Sequence, residues 1–541
     1  MLSVKLYSSL EKIFLDGNLP SKPWSGMSCL GGEECAFQAV VDLEGWGTQP
    51  GTVSVESALP VEVFQVGQVP SALACYPDAL EDPDYLTHQA GLFPDPLLPI
   101  PDGVVQLNAF YPTVLWVNVK VPQGCAAGDY PVALHITCKD GSVQADATFH
   151  VVGVDLPEQK LLYTQWFHGD CLADYYGVPV YSEEHWALWE SFLTAAAQEG
   201  MNMVLTPIFT PPLDTEIGEE RPCVQLLGVE KDGDRYSFDF TQVERFVKMA
   251  RRCGVEHFEI SHLFTQWGAK ATPAIYATEN GVRRRIFGWD VPADSPEYAA
   301  FIGQLLPALT DFLREQRLSG KAVFHISDEP GQEHLESYRK AKELVKPYLG
   351  EFPLYDALSE PAYYDEGLVE HPVAATNHIV PFLERKVPNL WAYYCCAQGV
   401  DVGNRFLAMP SLRNRIVGWQ LYKFGITGFL HWGYNFWYSQ NSRVKLDPWQ
   451  ITDAMGAFPG GDAFSVYPGK DGPVQSLRMK VFHHSLQDLR ALELAQSLLG
   501  EDPGAQVLPG YAEMTFASYP REGETLLEAR ERLNRLIEAN L

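Results

Sequence analysis

From about residue 160 the chain alternates between short apolar runs and longer segments, several of them amphipathic, and this rhythm narrows the possible folds more than any other feature. The runs are "KLLYTQWFH", "MNMVLTPI", "EHFEISHLF", "KAVFHIS", "FPLYDAL", "VAATN", "NLWAYYCC" and "GITGFLHWGY". Each is short, rich in β-branched and aromatic residues, and bounded by turn formers, which are the marks of a strand. Between them lie "EEHWALWESFLTAAAQEG", "FTQVERFVKMARRCG", "PEYAAFIGQLLPALTDFLREQ" and "GQEHLESYRKAKELVKPYLG", whose apolar residues recur at helical spacing. The helices between the fifth, sixth and seventh strands are short or indistinct. Eight strand–helix units in about 300 residues predict a (β/α)8 barrel of the TIM type.

The residues before this region read differently. Segments such as "VEVFQVGQV" and "YPTVLWVNVKV" are strand-like, and "GDYPVALHITCKDGSVQADATFHVVGV" reads as two or three strands with a hairpin signal at Asp140-Gly141. An antiparallel β-sandwich over residues 1–155 is expected, with "VDLPEQK" as a linker. The barrel is expected over residues 156–460. Residues 461–541 read as a C-terminal helical segment that completes the barrel and ends in an amphipathic, charge-rich helix. The whole is thus a multidomain α/β and β protein.

A chain of 541 residues is long enough for two or three such units. Its formal net charge of −29 disfavours nucleic acid and anionic membrane as partners. No stretch is apolar enough to span a bilayer. The segment "MLSVKLYSSLEKIFLDGNLP" is broken by Glu11, Lys12 and Asp16 and does not resemble a secretory signal. The ten cysteines show no zinc-site spacing, and the adjacent Cys395 and Cys396 are poorly placed for an unstrained disulfide. Reduced thiols in the cytoplasm are the expectation.

In a barrel of this kind, chemistry gathers at the C-terminal ends of the strands. There the sequence places Trp166, His168 and Asp170, then Thr206, then Glu259, Ser261 and His262. Further on come Asp328 and Glu329, Tyr355 and Asp356, Asn377 and His378, then Trp391, Tyr393 and Tyr394. The eighth strand supplies His431, Trp432, Tyr434, Asn435 and Trp437. Carboxylates serve as acids and bases, and aromatic faces stack on the C–H faces of sugars, so the rim suggests a carbohydrate site. His168-Gly169-Asp170 is too sparse for a metal site, and neither metal nor other cofactor is called for. A helix N-terminus would explain one acid at 328–329 through the helix dipole. It explains less well why "AVFHI" leads straight into two.

"HISDEP", "GITGFLHWGYNFW" and "YPGKDGPVQSLRMKVFHHSLQDLRALELA" resemble glycoside hydrolase family 123 and the wider group carrying the domain of unknown function 4091. The likeness covers roughly residues 160–500. It implies a retaining, exo-acting β-N-acetylhexosaminidase, most specifically a β-N-acetylgalactosaminidase, acting on a terminal β-linked N-acetylhexosamine. It implies substrate-assisted catalysis, with Glu329 as general acid/base and Asp328 bonding the acetamido N–H. Such enzymes depart from the usual two-carboxylate spacing because the substrate supplies the nucleophile. His168, Asp170, His262, Tyr393, Tyr394, Trp432, Tyr434, Asn435 and Trp437 are the candidate substrate-binding residues, by position.

Two other readings compete. One is a conventional retaining glycosidase with Asp356 or Glu259 as nucleophile. The other is a catalytically silent carbohydrate-binding protein using the sandwich. Adjacent residues of a regular strand face opposite sides. Asp328 and Glu329 are therefore expected beyond the last regular residue, where Pro330 favours a turn.

Overall fold

The computed structural model describes residues 1–16, 19–20 and 22–541. Among the described residues, ten strands between Leu2 and Asp155 form two stacked five-stranded sheets. Phe37, Leu115, Val117, Leu134, Ile136 and Phe149 fill the space between them. Pairing is antiparallel except where Gly141–Asp155 runs parallel to Gly26–Gly31, so the sandwich is not purely antiparallel. The expected hairpin is present. Cys138 pairs with Gly141, so Lys139 and Asp140 form its two-residue loop and Gly141 begins the return strand.

The strand Glu34–Leu43 shows why the sandwich does not stand alone. Its burial is nearly continuous instead of alternating. One face lies in the sandwich core, while Ala36 and Val40 pack with Trp116, Leu477 and Val481 on the other side. Leu477 and Val481 belong to the helix Leu477–Leu499, which also packs on the helix Ser411–Lys423 of the barrel. Because that helix is buried on most sides, its charged residues need partners. Lys480 lies 2.6 Å from both Glu34 and Glu199. Arg478 grips Asp95 of the sandwich with two bonds of 2.9 and 2.8 Å. The terminal helix Gly523–Glu538 buries Leu526, Ala529, Leu533 and Ile537 at helical spacing and packs against Gly26–Gly31.

The barrel consists of eight parallel strands: Leu162–Gln165, Met203–Thr206, His257–Ile260, Ala322–Phe324, Tyr355–Leu358, His371–Ala375, Trp391–Tyr393 and Gly428–His431. They coincide with the eight apolar runs. Alternate residues face inward, among them Trp166, Met203, Leu205, Val323, Ala357, Val373, Trp391, Tyr393 and Leu430. Gly428 is needed in the eighth strand because a Cβ there would enter the Trp391 ring. The ladder is continuous except between the fourth and fifth strands, which share only an isolated bridge at Phe324 and Leu354. The helices after the fifth and sixth strands are single turns, Ala362–Asp365 and Val380–Glu384.

Two hairpins interrupt the strand–helix rhythm: Gly228–Asp232 with Arg235–Asp239, and Ile275–Glu279 with Val282–Phe287. They join into one four-stranded sheet. The sequence reading passed over both, although the turns contain Asp232-Gly233 and Asn280-Gly281. Asn280 and Gly281 both take positive φ, 51° and 77°, the conformation that a two-residue hairpin of this kind requires.

The Arg478–Asp95 pair is the clearest test of the sandwich–barrel junction. Asp95→Ala leaves a fully buried guanidinium without its carboxylate and is expected to cost about 3–5 kcal/mol. Denaturant unfolding read by tryptophan fluorescence measures it. A change below about 1 kcal/mol would show that the carbonyls of Gly461 and Phe464, which also accept from Arg478, suffice.

Candidate active site

A cavity of about 210 Å³ opens at the C-terminal ends of the barrel strands. Trp166, Asp214, Trp267, Asp328, Glu329, Tyr393, Trp432 and Phe458 are among its walls. Two roomier cavities, about 320 and 520 Å³, lie at the sandwich–barrel junction. Several of the charged groups there are paired with each other, as in Arg530–Glu33 and Lys480–Glu199.

The two acids reach one cavity because the fourth strand stops early. Its ladder ends at Phe324, and the Ile326 N–H instead donates to the Asp356 carboxylate at 3.0 Å. The loop after the third strand then lies along residues 325–328. Leu263, Phe264 and Trp267 donate their N–H groups to the carbonyls of His325, Ile326 and Asp328. Glu329 follows with φ +41°, a left-handed conformation unusual outside glycine. This turn carries the second carboxylate to the same side as the first.

Tyr393, facing inward from the seventh strand, donates its hydroxyl to Glu329 at 2.5 Å. Glu329 is open to the water of the cleft, yet the surrounding walls place it deep within the protein. That crowding raises its pKa, and the Tyr393 hydroxyl works against the rise. Asp328 is pushed well up by burial, then by the charges of Glu329 and Asp356; His325 opposes them. The pair therefore shares its protons, and its titration belongs to both groups. Asp214 is pushed up to about 6 by burial and accepts the Asn441 N–H at 3.0 Å.

Of the candidate residues read from the sequence, Asp328, Glu329, Tyr393 and Trp432 line this cavity. The others are buried and do not line it. The Tyr394 hydroxyl donates to Asn414, and that of Tyr434 to the Phe192 carbonyl. Trp437 packs among Tyr175 and Phe192. Asp170 forms two 2.8 Å bonds with Arg221, which also donates to His168 Nδ1 and to the Leu213 carbonyl. His168 Nε2 donates to the Trp432 carbonyl, while Asn435 bridges the His168 backbone. These residues form a clamp that positions the walls at Leu213, Asp214 and Trp432.

Glu259 and Asp356, the alternative nucleophiles, are fully buried below the cavity. Glu259 accepts from Thr164, Trp166 and His325. Asp356 accepts from Ile326 and Tyr338. One ligand atom from each of His262, His325 and Asp356 lies within 4.8 Å of the others. The two imidazoles, however, stack with centroids 4.8 Å apart and planes 20° from parallel. Their in-plane lone pairs point side by side, and they do not converge on an ion some 2.0–2.1 Å away.

The sequence reading missed Asp214, Gln266, Trp267 and Phe458. Asp214 and Trp267 stand on long loops after the second and third strands. In a barrel, such loops at the C-terminal rim are themselves a signal of function.

The family description "Glycoside hydrolase 123, catalytic domain" matches residues 166–495, more than half of the chain. Among solved structures, a family 123 glycoside hydrolase from Clostridium perfringens, studied for glycolipid glycan hydrolysis, is similar over 99% of this chain and 97% of its own. Its TM-score is 0.76 and its sequence identity 13%. β-Glucuronidase 3 from Bacteroides uniformis follows at TM-score 0.30 and 9% identity, with 91% of this chain and 51% of that one covered. No curated protein matches in sequence.

The Tyr393–Glu329 bond is directly testable. A donated hydroxyl favours the charged carboxylate. Tyr393→Phe is therefore expected to raise the titration midpoint of the Asp328–Glu329 pair further, as read from the carboxyl band in difference infrared spectra. An unmoved midpoint would mean that the hydroxyl does not rest on Glu329.

Proposed function

The chain belongs to glycoside hydrolase family 123, and from that premise we propose that it is a retaining, exo-acting β-N-acetylhexosaminidase working by substrate-assisted catalysis. That it is a glycosidase follows from the family; the mechanism and the sugar are the proposal. The observation that carries the mechanism is the placement of the carboxylates. Asp328 and Glu329 share one cavity, while Glu259 and Asp356 lie buried beneath it.

In this reading the carbonyl oxygen of the sugar's 2-acetamido group attacks C1. The bond from C1 to the glycosidic oxygen breaks, and its electron pair leaves on that oxygen, which takes the proton of Glu329. The cyclic oxazolinium ion carries a positive charge near its N–H. Asp328 accepts that N–H and offsets the charge. Glu329, now a carboxylate, deprotonates a water that attacks C1 from the departed side. The ring opens and the β configuration is restored.

The aromatic walls Trp166, Trp267, Trp432 and Phe458 are proposed to hold the apolar faces of the sugar. A cavity of about 210 Å³ is small beside ordinary ligand pockets of roughly 300–1,000 Å³, which favours one terminal sugar at a time. Terminal β-linked N-acetylgalactosamine is the proposed sugar, carried on a glycan or, like the material studied with the Clostridium enzyme, a glycolipid glycan.

A panel of nitrophenyl glycosides tests the proposal. Turnover is expected for the N-acetylgalactosaminide and not for the galactoside, which lacks the acetamido group. Equal turnover of the two would overturn it. Asp214 is the third carboxylate in the cavity and gives the conventional mechanism its remaining candidate. A 2-deoxy-2-fluoro glycoside adduct on Asp214 would support that mechanism instead.

Glu329→Gln is expected to slow turnover by about 10²–10⁴, or about 3–5 kcal/mol of barrier. Aglycones that leave without protonation should suffer less. Equal losses for good and poor leaving groups would remove Glu329 from the acid role.

A further inference from the structure

Beneath the Asp328–Glu329 turn lies a buried group that the reaction above does not use. His325 Nε2 donates to Glu259 at 2.9 Å. Its Nδ1 faces Asp356 at 3.6 Å, an ion-pair distance rather than a good hydrogen bond. Both carboxylates are fully buried and supplied with donors, Glu259 by Thr164 and Trp166, Asp356 by Ile326 and Tyr338. Hydrogen bonding of this kind favours the anion.

Two buried anions need a cation. Among the described residues no lysine or arginine is paired with either carboxylate, and His325 touches both. Burial disfavours a charge on His325, but the attraction of Asp356 and the hydrogen bond and attraction of Glu259 outweigh it, and its pKa rises to about 10. Burial draws Asp356 upward, against the attraction of His325 and the bonds from Tyr338 and Ile326. We take it as the anion because its oxygens are occupied by donors. His262, stacked on the face of the His325 ring, stays neutral, since burial and the neighbouring His325 charge both lower its pKa. The remaining charged groups that bear on the turn are Asp328, Glu329 and Asp214.

We propose that His325 is a positioning residue for the catalytic pair: a fixed imidazolium beneath Asp328 that favours the Asp328 anion and leaves the pair's proton on Glu329. The inference rests on the roles given above to Asp328 and Glu329. Trp166, a wall of the cavity, lies edge-on to the His325 ring at 6.1 Å and donates to Glu259, so the imidazolium stands just under the cavity that holds Asp328. Three acids crowd Asp328, and His325 is the counter-charge. Without that charge Asp328 keeps its proton to higher pH. Protonated, it can still accept the acetamido N–H but no longer offsets the oxazolinium charge, and the proton is not placed for the leaving oxygen.

The test is the pH dependence of kcat/KM for native enzyme, His325→Gln and Asp328→Asn. In His325→Gln the acidic limb is expected to move up by about 1–3 units, the range for a nearby charge. A uniform fall at every pH, with the limb unmoved, would reduce His325 to a structural role. If Asp328→Asn keeps native turnover, the reading of the pair fails and this inference with it. If Asp328→Asn is inactive but the His325→Gln limb stays in place, only the role of His325 falls. A second measurement needs no variant. Nitrogen-15 spectra of histidine-labelled native protein should show a slowly exchanging imidazolium that survives to about pH 8.5, far above an ordinary histidine. Its absence would overturn the proposal even if His325→Gln does not fold.

Discussion

The site depends on a bond that the barrel does not make. Between the fourth and fifth strands the backbone ladder gives way after one bridge, and the Asp356 carboxylate takes the Ile326 N–H in place of a strand-five carbonyl. The backbone N–H is still satisfied, as a buried donor must be. The chain is freed to leave the pleat, and adjacent residues no longer have to face opposite sides. Glu329 then takes its left-handed conformation, at an expected cost of about 1–3 kcal/mol that neighbouring contacts must offset. The loop of residues 263–267 supplies such contacts through three backbone hydrogen bonds.

Much of this was legible in the sequence. Strands buried on both faces read as nearly continuous apolar runs, which is why all eight barrel strands stood out. Asp328 and Glu329 stood out because an apolar run seldom ends in two acids. What a strand end does not disclose is direction. Tyr393 and Tyr394 are neighbours with the same side-chain chemistry, yet one reaches Glu329 and the other reaches Asn414 behind the barrel. The twofold period distinguishes them only once the inward face of that strand is known.

The loops were harder still. Asp214 reaches the cavity because Arg221 ties the Leu213 carbonyl to Asp170 and His168, a contact between loops far apart in sequence. Sequence reasoning picked out His168 and Asp170 as chemically notable and assigned them to the substrate. In the structure their polar groups are satisfied by Arg221 and Trp432, and their contribution is to shape. The inserted hairpins show the opposite case: their turn signals are present, but the barrel rhythm around them dominates the sequence pattern.

In the proposed mechanism the substrate's acetamido oxygen is the nucleophile. The most direct measurement is kcat/KM across nitrophenyl N-acetylgalactosaminides whose acetyl methyl carries none, one, two or three fluorines. Each fluorine withdraws electrons from the attacking oxygen and leaves the sugar otherwise intact. A steep, progressive fall in rate is predicted, since the loss is felt in the transition state itself. A flat series would contradict the mechanism and return the nucleophile to the protein.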